Sequence, residues 1–253
     1  MQGYGADFYA YLDSFAGRSA RCVVPLVAGA MPVASIADFG CGQGAWLQAW
    51  SGTGAEIIGL DGDYVDRSRL LIPPHAFLPA DLAAPVRLGR RFDLVQSLEV
   101  AEHLPLAHAG MFIDTLTSHA DAVLFSAAVP GQGGEHHVNE QPLEFWRGLF
   151  ATHGYRAVDL VRPAVLRNAA VQKWYRCNTL LYVNDAGAAR LSVQARAHMV
   201  PDTEALRTYW PFLDRTRQQV LRTLPLAVVD RLAGLNAALA ARRVQSSQAL
   251  TRR

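Results

Sequence analysis

Two short stretches hold most of the side chains that could move a proton or grip a polar ligand. They are Ser97-Leu98-Glu99-Val100-Ala101-Glu102-His103-Leu104-Pro105 and Gly134-Glu135-His136-His137-Val138-Asn139-Glu140-Gln141-Pro142, together four carboxylates and three imidazoles. Histidine is the side chain whose ordinary pKa lies nearest neutrality, so it suits a general base at working pH. His137 is the first candidate, His136 the second and His103 the third. Glu99 and Asn139 are placed to orient an acceptor or the base.

Each stretch follows a predicted strand. Phe92 to Leu98 reads as strand four and Ala122 to Val129 as strand five, and the flexible run 130–134 leads from the latter to the second cluster. In doubly wound sheets ligands bind beyond the carboxyl ends of the strands, which would bring the two clusters together across one pocket mouth.

A third stretch, residues 34–44, organises the chain. Ile36, Ala37 and Phe39 read as a buried strand, glycines follow at Gly40, Gly42 and Gly44, and Ala45, Trp46 and Leu47 open a helix. Such a turn brings backbone N–H groups and a positive helix end close to a ligand. Gly40, Gly42 and Ala45 also fit a dinucleotide pattern, but Asp38, two residues earlier, would repel a pyrophosphate. The same carboxylate favours an ammonium and a sulfonium. A second apolar strand, Ala55 to Leu60, ends in Asp61-Gly62-Asp63, close to the spacing at which a carboxylate meets a ribose diol.

Asp38 to Gly44 resembles, without a departure, the acidic-x-Gly-x-Gly-x-Gly motif of class I S-adenosylmethionine-dependent methyltransferases. The likeness runs from about Arg18 to Val183, through Leu60-Asp61-Gly62-Asp63, the Glu-x-x-Glu-His run and the His-Val-Asn-Glu-Gln segment, toward bacterial enzymes of glycan and natural-product pathways. It implies S-adenosylmethionine held by Asp38, Gly40, Gly42, Gly44, Asp61, Gly62, Leu82 and Ser97, with Asp81 on the adenine amino group. His103, Asn139, Trp174 and Tyr175 are expected toward the acceptor. In some relatives a Glu-x-x-Glu-His run binds a divalent metal. Glu99, Glu102 and His103, completed by His136 or His137, would then hold Mg2+ or Mn2+ and lower an acceptor hydroxyl's pKa.

The predicted elements imply an α/β fold, a doubly wound, mostly parallel, seven-stranded Rossmann-like sheet with a C-terminal helical extension. The expected organisation is residues 1–30 as an N-terminal helical segment, 31–184 as the cofactor-binding core and 185–253 as the extension. Tyr4, Phe8, Tyr11 and Phe15 fall on one helix face, either packing on the core or, as the resemblance implies, forming a lid. Further helices are expected over 19–30, 63–71, 107–119, 143–153, 188–198, 203–224 (interrupted at Pro211) and 227–241. Short strands are expected at 76–78, 155–161 and 178–183. The stripe Leu226, Val229, Leu232, Leu235 and Leu239 would pack on the sheet or form a homodimer contact.

Composition narrows the function further. The 253 residues are 51% hydrophobic with a formal net charge of +2, which suits a sizeable core and gives no electrostatic case for nucleic acid or an anionic membrane. Three widely spaced cysteines read as free thiols in a reducing compartment. No basic, apolar leader is seen at the start, and the longest apolar run, 22–37, is broken by Pro25 and Pro32, so a soluble cytoplasmic protein is expected. The leading reading is methyl transfer to oxygen of a sugar or secondary metabolite. A nitrogen acceptor, RNA ribose methylation and a cofactor-binding protein without turnover are the alternatives.

Overall fold

The computed structural model describes residues 6–224, 228, 229, 231, 233 and 234. The strands are short runs, the central ones buried on both faces, as a parallel sheet covered by helices requires. They are β1 (Ser35–Phe39), β2 (Glu56–Asp61), β3 (Phe77–Pro79), β4 (Leu94–Leu98), β5 (Ala122–Ser126), β6 (Arg156–Val158) and β7 (Leu180–Val183). Their order is β3-β2-β1-β4-β5-β7-β6, parallel throughout except for β7, which is antiparallel to both neighbours. This is the expected Rossmann-like architecture. Strand order reverses between β1 and β4, so the crevice for a ligand opens at their carboxyl ends.

Helices fill both faces. On one, α1 (Ala6–Ala30) and α2 (Ala45–Ser51) bury Val23, Val27, Leu47 and Trp50. On the other, α3 (Ala109–His119) and α4 (Leu143–Thr152) bury Phe112, Leu116, Trp146 and Phe150, the last stacked on Tyr182 with ring centroids 4.0 Å apart. The second half of α1 is therefore core. The aromatic stripe rests on Tyr4 and on the side chains of Phe8 and Tyr11, which lie outside the described residues.

Several boundaries differ from the sequence reading. The helix expected over 63–71 is a single 3-10 turn, Arg67–Arg69. There Asp66 caps Ser68 N, Leu71 N is drawn to Gln43 O, and Pro73-Pro74 prevents continuation. Strand six stops at Val158, because Val161–Val165 turns into a short helix, α5. Trp174 and Tyr175 lie on another helix, α6 (Lys173–Asn178). Residues 188–198 divide between α7 (Asp185–Arg190) and α8 (Val193–Arg196). Residues 203–211 are not helical, and α9 (Phe212–Leu221) begins only after Pro211. Of the helix expected over 227–241, residues 228, 229, 231, 233 and 234 are described and helical; the rest, with most of the stripe to Leu239, lies outside the described residues.

Two buried guanidiniums tie the irregular segment 201–210 to the core. Arg147 donates to the carbonyls of Pro201 (2.7 Å) and Glu204 (2.6 Å). Arg162, paired with Asp159 at 2.8 Å, donates to Arg207 O at 2.9 Å and lies 5.0 Å from the Tyr209 ring centroid. Buried arginine can sit so because its donors are met by a carboxylate and by carbonyls that the loop would otherwise leave unpaired. No helix among the described residues is long and apolar enough to cross a membrane.

Candidate active site

The glycine turn is built from left-handed backbone: φ is 93° at Gly40, 54° at Gly42 and 88° at Gly44. Only glycine takes this region readily. A methyl at Gly40 would overlap Val100, and one at Gly44 would come 2.9 Å from Ile72. At Gly42 it would meet nothing within 4 Å. Gly40 and Gly44 thus let the protein pack, and Gly42 borders open space, the cradle a ligand needs.

Two carboxylates frame the cradle. Asp61 accepts from Gly42 N and Gly62 N, both at 2.7 Å, and from the Tyr64 hydroxyl at 2.6 Å, so it ties the turn to the end of β2. Asp38 is 2% exposed and accepts from Gln96 Nε2 at 2.9 Å, while Gln96 Oε1 accepts from Trp50 Nε1 at 3.1 Å. Burial pushes the Asp38 carboxyl up to about 8 against the pull of Gln96, and the charge of Asp61 adds to the rise. A buried acid held so high is short of a cation, which an ammonium or a sulfonium would supply. Asp81 stays exposed after β3, its Oδ1 accepting from Ala83 N at 3.0 Å, with Leu82 buried beside it. Ser97 is fully buried on β4 and its hydroxyl has no partner among the described residues.

Beyond β4 and β5 the two polar clusters do meet. Val138 N and Asn139 N both donate to Glu102 O, at 2.9 and 3.0 Å, zipping the second cluster onto the first. His137 Nδ1 lies 2.8 Å from Glu140 Oε1, and its Nε2 lies 4.0 Å from Glu102 Oε1. Burial resists charge on Glu140, but the His137 bond and the N–H groups of Gly131 and Gly133 outweigh it and hold its carboxyl below the usual range. Glu102 is fully buried, and neither carboxylate oxygen has a hydrogen-bond partner among the described residues. Burial and then the charge of Glu99 drive it well above the usual range.

Glu99 itself stands in left-handed backbone, φ 57°, a conformation an L residue keeps only when its surroundings impose it. Its Oε2 accepts from Gln132 Nε2 at 2.7 Å, and its Oε1 is buried and meets no hydrogen-bond partner at normal geometry among the described residues, with the Ser126 hydroxyl and the Asn178 amide facing the carboxylate. Burial raises its carboxyl too. Tyr175, buried and edge-on to Trp46 at 5.0 Å, feels the charge of both Glu99 and Asp38, so α6 spans from the cofactor side to the acceptor side. Trp174 packs half-buried beside it.

Not every expected site residue joins the cluster. His136 is exposed and offers its carbonyl to His103 Nδ1 at 3.3 Å; the ring of His137 meets the ring of His103, centroids 5.0 Å apart. Asn139 is buried, with Nδ2 on Ala101 O and Oδ1 on Gln141, so it joins loops. For a metal, the ligand atoms of Glu102, His103 and His137 all lie within 4.8 Å of one another. Of the two histidines expected to complete such a set, His137 is the one that stands in it, and Glu99 is turned to Gln132. Sequence reasoning missed Gln96, Trp50 and Gln132, neutral groups that no spacing rule marks, and it counted Glu140 in the cluster without seeing that it holds His137.

A separate cleft of about 440 Å3 lies at the opposite end of the sheet, among Arg91, Asp121, His153, Tyr155 and Asn184. Its charged groups pair with each other, Arg91 Nη2 reaching Asp121 Oδ1 at 2.6 Å. It is remote from the glycine turn, and we assign it no role in the chemistry.

The sheet order, the acid-led glycine turn and the strand-end carboxylates define a class I S-adenosylmethionine-dependent methyltransferase. The sequence pattern of the Methyltransf_23 family, a methyltransferase domain, matches residues 20–169, more than half of the chain, and the chain belongs to that family. No curated protein sequence matches it. Among solved structures, Streptomyces venezuelae DesVI superposes with a TM-score of 0.56 at 16% identity, covering 70% of this chain and 95% of its own. CalS10, an amino pentose methyltransferase from Micromonospora echinaspora, gives 0.51 at 14%, covering 73% and 98%. A putative methyltransferase solved with the Trm112 activator of Haloferax volcanii gives 0.51 at 16%, covering 72% and 99%. At these identities the likeness is one of fold.

Proposed function

We propose that the enzyme transfers the methyl group of S-adenosylmethionine to a hydroxyl oxygen of a small molecule, a sugar or secondary metabolite. One observation carries this reading: His137, 11% exposed at its side chain, has Nδ1 engaged by Glu140 and Nε2 free of any hydrogen bond shorter than its 4.0 Å approach to Glu102. A carboxylate on Nδ1 fixes the tautomer that leaves the Nε2 lone pair available and stabilises the imidazolium that forms. The acceptor O–H gives its proton to Nε2, the oxygen lone pair attacks the methyl carbon, and the C–S pair stays on sulfur as S-adenosylhomocysteine. A sugar acceptor is in keeping with the amino pentose acted on by CalS10. The free thiols of Cys22, Cys41 and Cys177 support a reducing, cytoplasmic setting.

The test uses cofactor carrying a trideuterated methyl group and a panel of hydroxylated and aminated sugars and metabolites. The label is expected on oxygen, with one S-adenosylhomocysteine formed per product. Label confined to nitrogen would overturn the oxygen assignment.

The compact Glu102–His103–His137 group favours a second reading, a divalent cation beside the acceptor. The donors fit one, since His137 carries on its outer nitrogen the carboxylate that metal-bound imidazoles usually have. Two imidazoles and one carboxylate suit manganese or another transition metal better than magnesium. Bound there, a cation would acidify the acceptor hydroxyl and take the Nε2 electrons that the first reading gives to the proton. Metal analysis and turnover in excess chelator separate the two, since undiminished turnover in chelator leaves His137 as the base.

A further inference from the structure

A chain of three hydrogen bonds runs from the segment after the family domain into the acceptor site. Trp210 Nε1 donates to Asn178 Oδ1 (2.9 Å), Asn178 Nδ2 donates to Gln132 Oε1 (2.8 Å), and Gln132 Nε2 donates to Glu99 Oε2 (2.7 Å). Asn178 and Trp210 both lie beyond residues 20–169. The approach of Trp210 is fixed by the buried Arg147 and Arg162 that anchor 201–207.

The polarity of this chain has one solution. An indole N–H only donates, so Asn178 must accept from it and turn its amide nitrogen outward. Gln132 Oε1 also accepts from Val129 N at 3.2 Å, a second group that only donates. Its amide nitrogen therefore faces Glu99. Oε2 of Glu99 is always an acceptor, and any proton on this carboxyl must sit on Oε1, the buried oxygen that meets no partner at normal geometry among the described residues.

We propose that Trp210, Asn178 and Gln132 form a positioning relay that holds Glu99 in its left-handed conformation and reserves Oε1 for the acceptor. The inference deepens the reading above and rests on Glu99 facing the acceptor. It also names a substrate feature. Ionised, Oε1 accepts from a hydroxyl or amine hydrogen of the acceptor; protonated, it donates to an oxygen, so in either state it takes one polar group beside the reacting oxygen. Two devices thus meet on one acceptor: His137 takes the reacting proton, and Glu99 holds a neighbouring polar group.

Trp210 is an acceptor-independent reporter. The groups facing Glu99 are Glu102, His137 and Tyr175, with the Ser126 hydroxyl at the end of β5. Arg217 of α9 reaches the Gln132 carbonyl at 3.5 Å. In proton–nitrogen NMR spectra of the cofactor-free protein taken at one pH, the Trp210 indole signal, assigned by its loss in Trp210→Phe, is expected to move when the far end of the chain is altered. Glu99→Gln and Gln132→Met should each shift it, and in Gln132→Met cofactor affinity should stay within twofold. His137→Gln, which leaves the three bonds intact, should shift it far less. A Trp210 signal that stays in place in both Glu99→Gln and Gln132→Met, or that moves as far in His137→Gln, would overturn the relay. No acceptor is needed, so the relay can stand while the oxygen assignment fails, or fail while it stands.

Discussion

The cofactor side and the acceptor side of this cleft are built on opposite terms. At the glycine turn the carboxylates are engaged: Asp61 by two backbone N–H groups and a tyrosine hydroxyl, Asp38 by Gln96 with Trp50 behind it. Past β4, by contrast, Glu102 has no hydrogen-bond partner and Glu99 has one bare oxygen. Leaving a buried polar group unpaired costs about 1–3 kcal/mol, more if it is charged. The first side engages its carboxylates before any ligand binds; the second leaves those of Glu99 and Glu102 short of partners among the described residues.

The largest effect should come from the acceptor side. His137→Ala is expected to lower the turnover of an oxygen acceptor by about 10²–10⁴-fold, the usual worth of a positioned base. Cofactor affinity should hold, because the cofactor cradle does not include His137. Rates of S-adenosylhomocysteine release check this. A loss of under tenfold would place the reacting proton elsewhere, as it would be for an amine that reaches the site already neutral.

On the cofactor side, Asp38→Asn should weaken S-adenosylmethionine by about 10–100-fold, since a hydrogen bond to a charged group is worth roughly 1.5–3 kcal/mol. Proton bookkeeping sharpens the point. With its carboxyl raised from 3.8 to about 8, Asp38 is mostly protonated at neutral pH in the free protein. A bound ammonium favours the ionised form, so binding at pH 7 should release a proton, and affinity should climb as pH rises toward 8. Calorimetry in buffers of different ionisation enthalpy reads that proton directly. The free protein carries the matching signature. Because the folded pKa lies above the unfolded one, Asp38 contributes nothing below about pH 4, and its destabilisation grows to full size above 8. That slope should vanish in Asp38→Asn.

The difference between the two sides also explains what the sequence could reveal. The glycine turn was legible because its demands are local: left-handed backbone at 40, 42 and 44, and an acid two residues ahead. The strands were legible for the same reason, each being a short apolar run. Residues 63–71 misled because helical composition there loses to the Asp66 cap and to Pro73-Pro74. The acceptor side was half legible. Its histidines and glutamates announce themselves, but which ring faces Glu102 depends on His136 taking φ 60° and turning its own ring outward. Gln132, Asn178 and Trp210 come from three separate elements and carry no charge, so only their meeting gives them meaning.

Two glycines test whether the cradle is for packing or for ligand. Gly40→Ala would drive a methyl into Val100 and strain φ, so it should destabilise the fold by about 1–3 kcal/mol and lower the melting temperature by several degrees. Gly42→Ala meets open space and pays only the φ strain, roughly 1 kcal/mol. Its larger consequence should be for S-adenosylmethionine, whose approach the methyl obstructs. Equal losses of stability and equal losses of affinity in the two variants would erase the distinction.

The smallest effect on stability is expected at Glu102. Its carboxyl is buried without a hydrogen-bond partner among the described residues, and burial and then the charge of Glu99 raise it well above the usual range, which favours the neutral acid. Glu102→Gln replaces one neutral polar group by another of the same shape, and the melting temperature should stay within about 2 °C, where loss of a partnered buried ion would cost far more. If the site takes a divalent cation, the same variant should lose the metal outright, since an amide is a poor substitute for a carboxylate ligand. Retained metal with unchanged stability would leave Glu102 without a function in either reading. A marked destabilisation would mean that the acceptor side is, after all, built like the cofactor side, with its charges compensated before any ligand binds.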